Sequence, residues 1–179
     1  GDEAGVSQVA LLFSDLQGST ALYERVGDSV AYNMVRDHFA LLAGIVRDHD
    51  GAVVKTIGDA VMATFPTPDR AVAAALRMRE AMRELNEHNG SDDLLLKIGI
   101  HEGPCLAVTL NERQDYFGQT VNIASRVQGL ADSRAIFITA PVVEHAETAA
   151  ILAANGRKPV AQQRSIRGIA GDMAVYEIP

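Results

Sequence analysis

Apolar positions along the chain follow two periods. Short runs of continuous apolar residues predict strands, and apolar residues recurring every three to four positions predict helices. The first strand is expected over 9–15, where Val9-Ala10-Leu11-Leu12-Phe13-Ser14 ends in Asp15. Gly18-Ser19-Thr20 then opens a short helix. A longer one over 29–49 carries Val30, Met34, Phe39, Leu42, Ile45 and Val46 on one stripe and stops at Asp50-Gly51. Residues 52–57 and 61–65 read as two strands joined by the turn signal Gly58-Asp59, and residues 69–87 as an amphipathic helix after Pro66 and Pro68. A second strand pair is expected over 94–102 and 105–110, turning at Gly103-Pro104. There follow a helix over 118–130, a strand over 135–139, a helix over 141–154 with proline at its start, and a strand pair over 160–178 broken at 168–172.

Helices alternating with hairpins, rather than strict strand–helix–strand units, predict an α+β sandwich: a mainly antiparallel sheet covered by helices. The length, 179 residues, suits one domain. The division expected is a tail over 1–8, with Gly1 a cloning remnant, and a folded domain over 9–179. A formal net charge of -7 argues against a sequence-independent nucleic-acid binder, which needs a basic surface. It leaves open a nucleotide substrate whose phosphates are neutralised locally. The single cysteine, Cys105, forbids an intrachain disulfide and fits a reducing, cytoplasmic setting; no segment has the roughly 18 apolar residues of a membrane span.

Candidate chemistry sits in three places. Asp15 closes one apolar strand and Asp59 follows another, Val53-Val54-Lys55-Thr56-Ile57. Both strands are apolar enough to be buried. A carboxylate at the exit of a buried strand is costly unless a cation or donor meets it. Two carboxylates side by side would repel, and hard divalent cations would relieve both costs. After Asp15, Gly18-Ser19-Thr20 starts a helix whose free N–H groups favour phosphate oxygens, although Ser19 or Thr20 could equally be a plain helix cap. Lys55 shares a strand face with Asp59 only if the strand runs on past Gly58. The third piece is 115–126, where Asn122 and Arg126 lie four apart on one helix face, an amide and a guanidinium suited to a ribose oxygen and a phosphoryl group.

Taken together, Asp15, the Lys55-Thr56-Ile57-Gly58-Asp59 turn and the segment Asp115-Tyr116-Phe117-Gly118 through Asn122 and Arg126 resemble the class III adenylyl and guanylyl cyclases, from about Val9 to Ile178. The resemblance implies a ferredoxin-like core. It implies two metal ions, Mg²⁺ or Mn²⁺, on Asp15, Asp59 and the backbone carbonyl of Leu16. It gives Lys55 and Asp115 the purine, Asn122 the ribose and Arg126 the reacting phosphate. Arg167, with Arg164 as the substitute, falls where the family often has a lysine on the distal phosphates. The implied reaction is ATP to 3′,5′-cyclic AMP and pyrophosphate at the interface of a head-to-tail homodimer, in a module fused to a regulatory domain. Lys55 with Asp115 favours adenine, since guanine reverses the donor and acceptor pattern. Guanylate cyclase, and a catalytically silent nucleotide-binding or dimerisation module, are the alternatives. Ser19 stands where the family often has an aromatic residue, and Tyr116-Phe117 where it often has an apolar residue followed by tryptophan. The five histidines, His38, His49, His88, His101 and His145, show no metal-ligand spacing and read as helix-surface or strand residues, with Met62 and Met78 as core filler.

Overall fold

The structure is a computed structural model that describes residues 3–132 and 134–179; Gly1, with its reading as a remnant, lies outside the described residues. Eight strands form one sheet in the order β2-β3-β1-β4-β6-β8-β7, with β5 paired to β4 off this path. The strands are β1 (Glu3–Gln17), β2 (Ala52–Ile57), β3 (Ala60–Phe65), β4 (Leu95–Leu110), β5 (Arg113–Phe117), β6 (Ile136–Thr139), β7 (Val160–Ser165) and β8 (Asp172–Ile178). Among the described residues six helices accompany them: α1 (Ser19–Val26), α2 (Asp28–Asp48), α3 (Pro68–His88), α4 (Gln119–Leu130), α5 (Ala140–Val143) and α6 (Ala146–Ala154). Among the described residues every pairing is antiparallel except β4 with β6. The α+β sandwich with a mainly antiparallel, helix-covered sheet is therefore as expected.

Alternation along β1 sorts the core into two layers. Ala10, Leu12 and Leu16 face a large cluster shared with α2 and α3, including Leu42, Val46, Ala75 and Met78. Val9, Leu11 and Phe13 face the opposite layer with Met62 and Ala124 of α4. Asp15 shares the parity of this second face. Two glycines of β4 let α4 lie close: a Cβ on Gly99 would stand 2.3 Å from the backbone nitrogen of Gln128, and one on Gly103 2.6 Å from Thr120 Oγ1. Four apart, they share one face of β4. The position of Asn122 and Arg126 thus depends on that side-chain-free track.

Four expectations change. β1 runs from Glu3 through Gln17, because its first residues pair with the second half of β4 (Glu3 with Thr109, Val9 with Gly103). β2 is apolar yet mostly exposed, since it is the sheet edge. Gly103-Pro104 makes no turn and β4 is continuous. The Pro104 carbonyl accepts from Thr120 Oγ1 at 2.7 Å, between the stretches of β4 paired to β6 and to β5, so the missing N–H falls where no strand would receive it. The real turn is Asn111-Glu112, both at positive φ, 53° and 64°, as a two-residue hairpin requires. It leads into β5, which the apolar pattern missed. Finally, the helix expected over 141–154 divides into α5 and α6, because His145 is extended and its Nε2 lies 3.1 Å from both Asp69 Oδ1 and Glu147 Oε2.

Candidate active site

The two acids meet by strand register. Asp15 pairs with Ala60 across β1 and β3, which seats the Gly58-Asp59 turn against the end of β1. Gly58 has φ 59°, so the chain turns there and Asp59 does not continue the face of Lys55. Leu16 N–H donates to the Asp59 carbonyl at 3.3 Å. In a strand the N–H and C=O of one residue point the same way, so the Leu16 carbonyl also faces Asp59.

Burial, and then the neighbouring Asp59 charge, raise the Asp15 carboxyl above its ordinary range, while Lys97, its partner in the β1–β4 register, and Gln17 pull it back. Gln17 Nε2 donates to Asp15 Oδ2 at 2.9 Å, and Ser19 Oγ donates to Asp59 Oδ2 at 2.8 Å. Neither Ser19 nor Thr20 caps α1. Gly18 holds the N-cap position with φ 93° and no side chain closes the helix start. The donor set here (two carboxylates and a carbonyl) is all oxygen, which fits hard cations of the Mg²⁺ type. Among the described residues no group of three or more His, Cys, Asp or Glu side chains converges to hold a metal, and the set here has two carboxylates.

A second group lies along β2 and β5. Lys55 Nζ and Asp115 Oδ2 are 2.8 Å apart, both partly exposed, beside a cleft of ≈ 320 Å³ lined by Val53, Val54 and Tyr116 among others. The third group is α4. Thr120, Ala124 and Val127 are buried against the sheet, while Asn122 is exposed on the outer side and Arg126 is half-buried. The Arg126 guanidinium donates to the Arg167 carbonyl, and Gly168, at φ 86°, leaves the space that Arg126 Nη1 fills. Arg164 is engaged elsewhere, 5.8 Å over the Phe137 ring and bonded to Gln162. Of the two arginines, Arg167 is the one beside Arg126. Sequence reasoning missed Lys97 and Gln17 beside Asp15, and His38. The last is fully buried on α2 rather than at the helix surface, and burial lowers it to about 4, opposed by its Val35 hydrogen bond and then by the Asp59 charge. Lys97 and His38 come near the acids only through tertiary contact, which no local spacing signals, whereas Gln17 lies two residues from Asp15 and carries no motif that marks it.

The profile of the adenylate and guanylate cyclase catalytic domain matches residues 2–178. The chain belongs to that family. This cyclase domain is 32% identical over 177 residues to the pH-sensitive adenylate cyclase MT1302 of Mycobacterium tuberculosis, a match covering 97% of this chain and 41% of that protein. It is also 32% identical over 143 residues to guanylate cyclase 32E of Drosophila melanogaster, covering 73% of this chain and 12% of that protein. The chain spans less than half the length of the curated relatives it matches. The adenylyl cyclase CyaB from P. aeruginosa shares its fold, with a TM-score of 0.81 at 23% identity over 99% of this chain and 96% of that one. Among the described residues no helix is long and apolar enough to cross a membrane.

Proposed function

We propose that this cyclase domain is an adenylate cyclase, converting ATP to 3′,5′-cyclic AMP and pyrophosphate at sites shared by two copies of the chain. The observation that carries the substrate choice is the 2.8 Å pair of Lys55 Nζ and Asp115 Oδ2. One cation and one carboxylate side by side complement adenine: Asp115 accepts from the exocyclic N6–H₂ and Lys55 donates to N1. Guanine would set its O6 acceptor against the carboxylate, and a site built for hydrogen bonds rejects the mismatched partner strongly.

Asp15, Asp59 and the Leu16 carbonyl would hold two divalent cations, Mg²⁺ or Mn²⁺, alongside the triphosphate. When bound, such cations supply Lewis acidity toward the ribose 3′-hydroxyl and neutralise phosphate charge. Asn122 orients the ribose so that its 3′-oxygen faces the α-phosphorus. The new bond forms from that oxygen as its proton is lost, and pyrophosphate leaves with the electron pair of the broken bond. Arg126 meets the charge that develops on the α-phosphoryl oxygens, a preorganised interaction of a planar fork with phosphate. Gly18, Ser19 and Thr20 carry the turn beside the acids, and Arg167 stands next to Arg126 for the distal phosphates.

Asn122 sits on the face of α4 turned away from the sheet that carries Asp15, which supports a head-to-tail pair in which one copy lends the acids and the other the amide and guanidinium. The exposed apolar side chains Val6, Ile57, Leu110 and Phe117, at 77%, 54%, 54% and 49%, offer surface for such a partner. The test is product formation from ATP and from GTP across protein concentration, with Mg²⁺ and Mn²⁺ compared. Cyclic AMP with specific activity rising with concentration is the expected result. Preferential cyclic GMP formation would overturn the substrate reading, and tight nucleotide binding without pyrophosphate release would overturn the enzymatic one.

A further inference from the structure

Resting on the metal reading of Asp15 and Asp59, we propose that Ser19 is a positioning residue that locks the Asp59 carboxylate for a divalent cation. Three observations converge on this residue. Its hydroxyl donates to Asp59 Oδ2 at 2.8 Å across a separation of 40 residues in sequence. That hydroxyl is not consumed by the helix it begins, since Gly18 is the N-cap of α1 and no side chain caps it. The turn that carries it is packed closely against the Asp93 carbonyl: a Cβ at Gly18 would stand 2.1 Å from that oxygen, and the φ of 93° there already demands glycine.

A carboxylate on a turn rotates freely about its last torsion, which is broad and roughly two-fold. Fixing Oδ2 by a donor on this closely packed turn removes that freedom and leaves the remaining lone pairs for a cation. The donor is neutral. An Arg or Lys in the same place would orient Asp59 equally well but would compete with the cation for its charge. A hydroxyl therefore suits an acid that must stay available beside a second acid. Gln17, also neutral, does the same for Asp15 at 2.9 Å, from the other side of Gly18. One three-residue turn thus presents a donor to each acid.

The experiment is Mn²⁺ binding followed by electron paramagnetic resonance, with stoichiometric protein and 3′-deoxy-ATP and the same nucleotide without protein as baseline. It compares the wild type, Ser19→Ala, Ser19→Thr and Asp59→Asn, with thermal melting of each in the absence of metal. The expected result is a loss of about 10- to 100-fold in Mn²⁺ affinity for Ser19→Ala, as for other groups that orient a metal ligand. Recovery in Ser19→Thr and unchanged metal-free melting complete that pattern. Wild-type Mn²⁺ affinity in Ser19→Ala, or lowered melting with affinity intact, would overturn it and leave Ser19 a fold contact. Asp59→Asn separates the two levels: if it binds Mn²⁺ like the wild type, the metal assignment itself fails.

Discussion

The acid end and the guanidinium end of this molecule are built differently. Asp15 and Asp59 stand at the close of paired strands, tied by register to Ala60 and Lys97 and by hydrogen bonds to Gln17 and Ser19. Asn122 and Arg126 project from the outer side of α4, with Arg126 held by the Arg167 carbonyl in the β7–β8 loop. The first half is finished by the chain's own fold. The second presents Asn122 outward and leaves Arg126 half-buried, and in the proposed reading it is completed by a second copy. Removing one side chain should therefore act in different ways at the two ends.

The largest effect is expected at the acids. Asp15→Ala should reduce cyclisation to background in either metal while leaving the fold intact, because it removes a charge whose burial the fold does not favour. Circular dichroism and an endpoint cyclic AMP assay check this. Arg126→Ala should lower turnover about 10²- to 10³-fold, the usual cost of removing a preorganised donor at a developing charge. Mixing the two inactive variants sharpens the contrast: if sites are shared, a mixed pair holds one site with both halves intact, and activity returns. No recovery on mixing would place all groups of a site in one copy.

Much of this arrangement was legible in the order of residues, for identifiable reasons. Asp15 and Asp59 stand out because each ends an apolar run, and such a run predicts both a strand and the cost of a charge at its end. Asn122 and Arg126 stand out because helical spacing fixes their common face. β5 was hidden because Arg113-Gln114-Asp115-Tyr116-Phe117 has little apolar content, and pairing with β4 through the Asn111-Glu112 turn makes it a strand. Pro104 read as a break, whereas its missing N–H costs nothing at that point of the sheet. β2 read as buried because an apolar edge strand and an apolar central strand look alike locally. The Ser19–Asp59 hydrogen bond lay beyond reach, since it joins residues brought together by the β1–β3 register.

A smaller effect separates the two ends through the backbone. Gly168 adopts φ 86°, and a Cβ there would stand 2.2 Å from Arg126 Nη1. Gly168→Ala should displace Arg126 and add about 1–3 kcal/mol of local strain. Turnover should fall while Mn²⁺ affinity at the acids stays at the wild-type value. A variant that loses both would show that the ends are mechanically coupled rather than independently assembled.

The last contrast is read in stability and not in turnover. His38 and His101 are buried, one without a partner on Nε2 among the described residues and the other bonded to Thr139 Oγ1 at 2.6 Å, and burial lowers both to about 4. Each is neutral in the folded protein at a pH where the unfolded chain, with an ordinary imidazole near 6.5, is already protonated. The unfolded state therefore binds more protons between about pH 6.5 and 4, so folding stability falls as pH drops through that window. The slope reaches at most about 1.4 kcal/mol per pH unit for each histidine. Above pH 6.5 neither contributes to the slope. Urea unfolding of His38→Leu across the window should show one histidine's share removed. An unchanged slope would mean that the imidazole takes up its proton alike in the folded and unfolded states, and that burial on α2 does not hold it neutral.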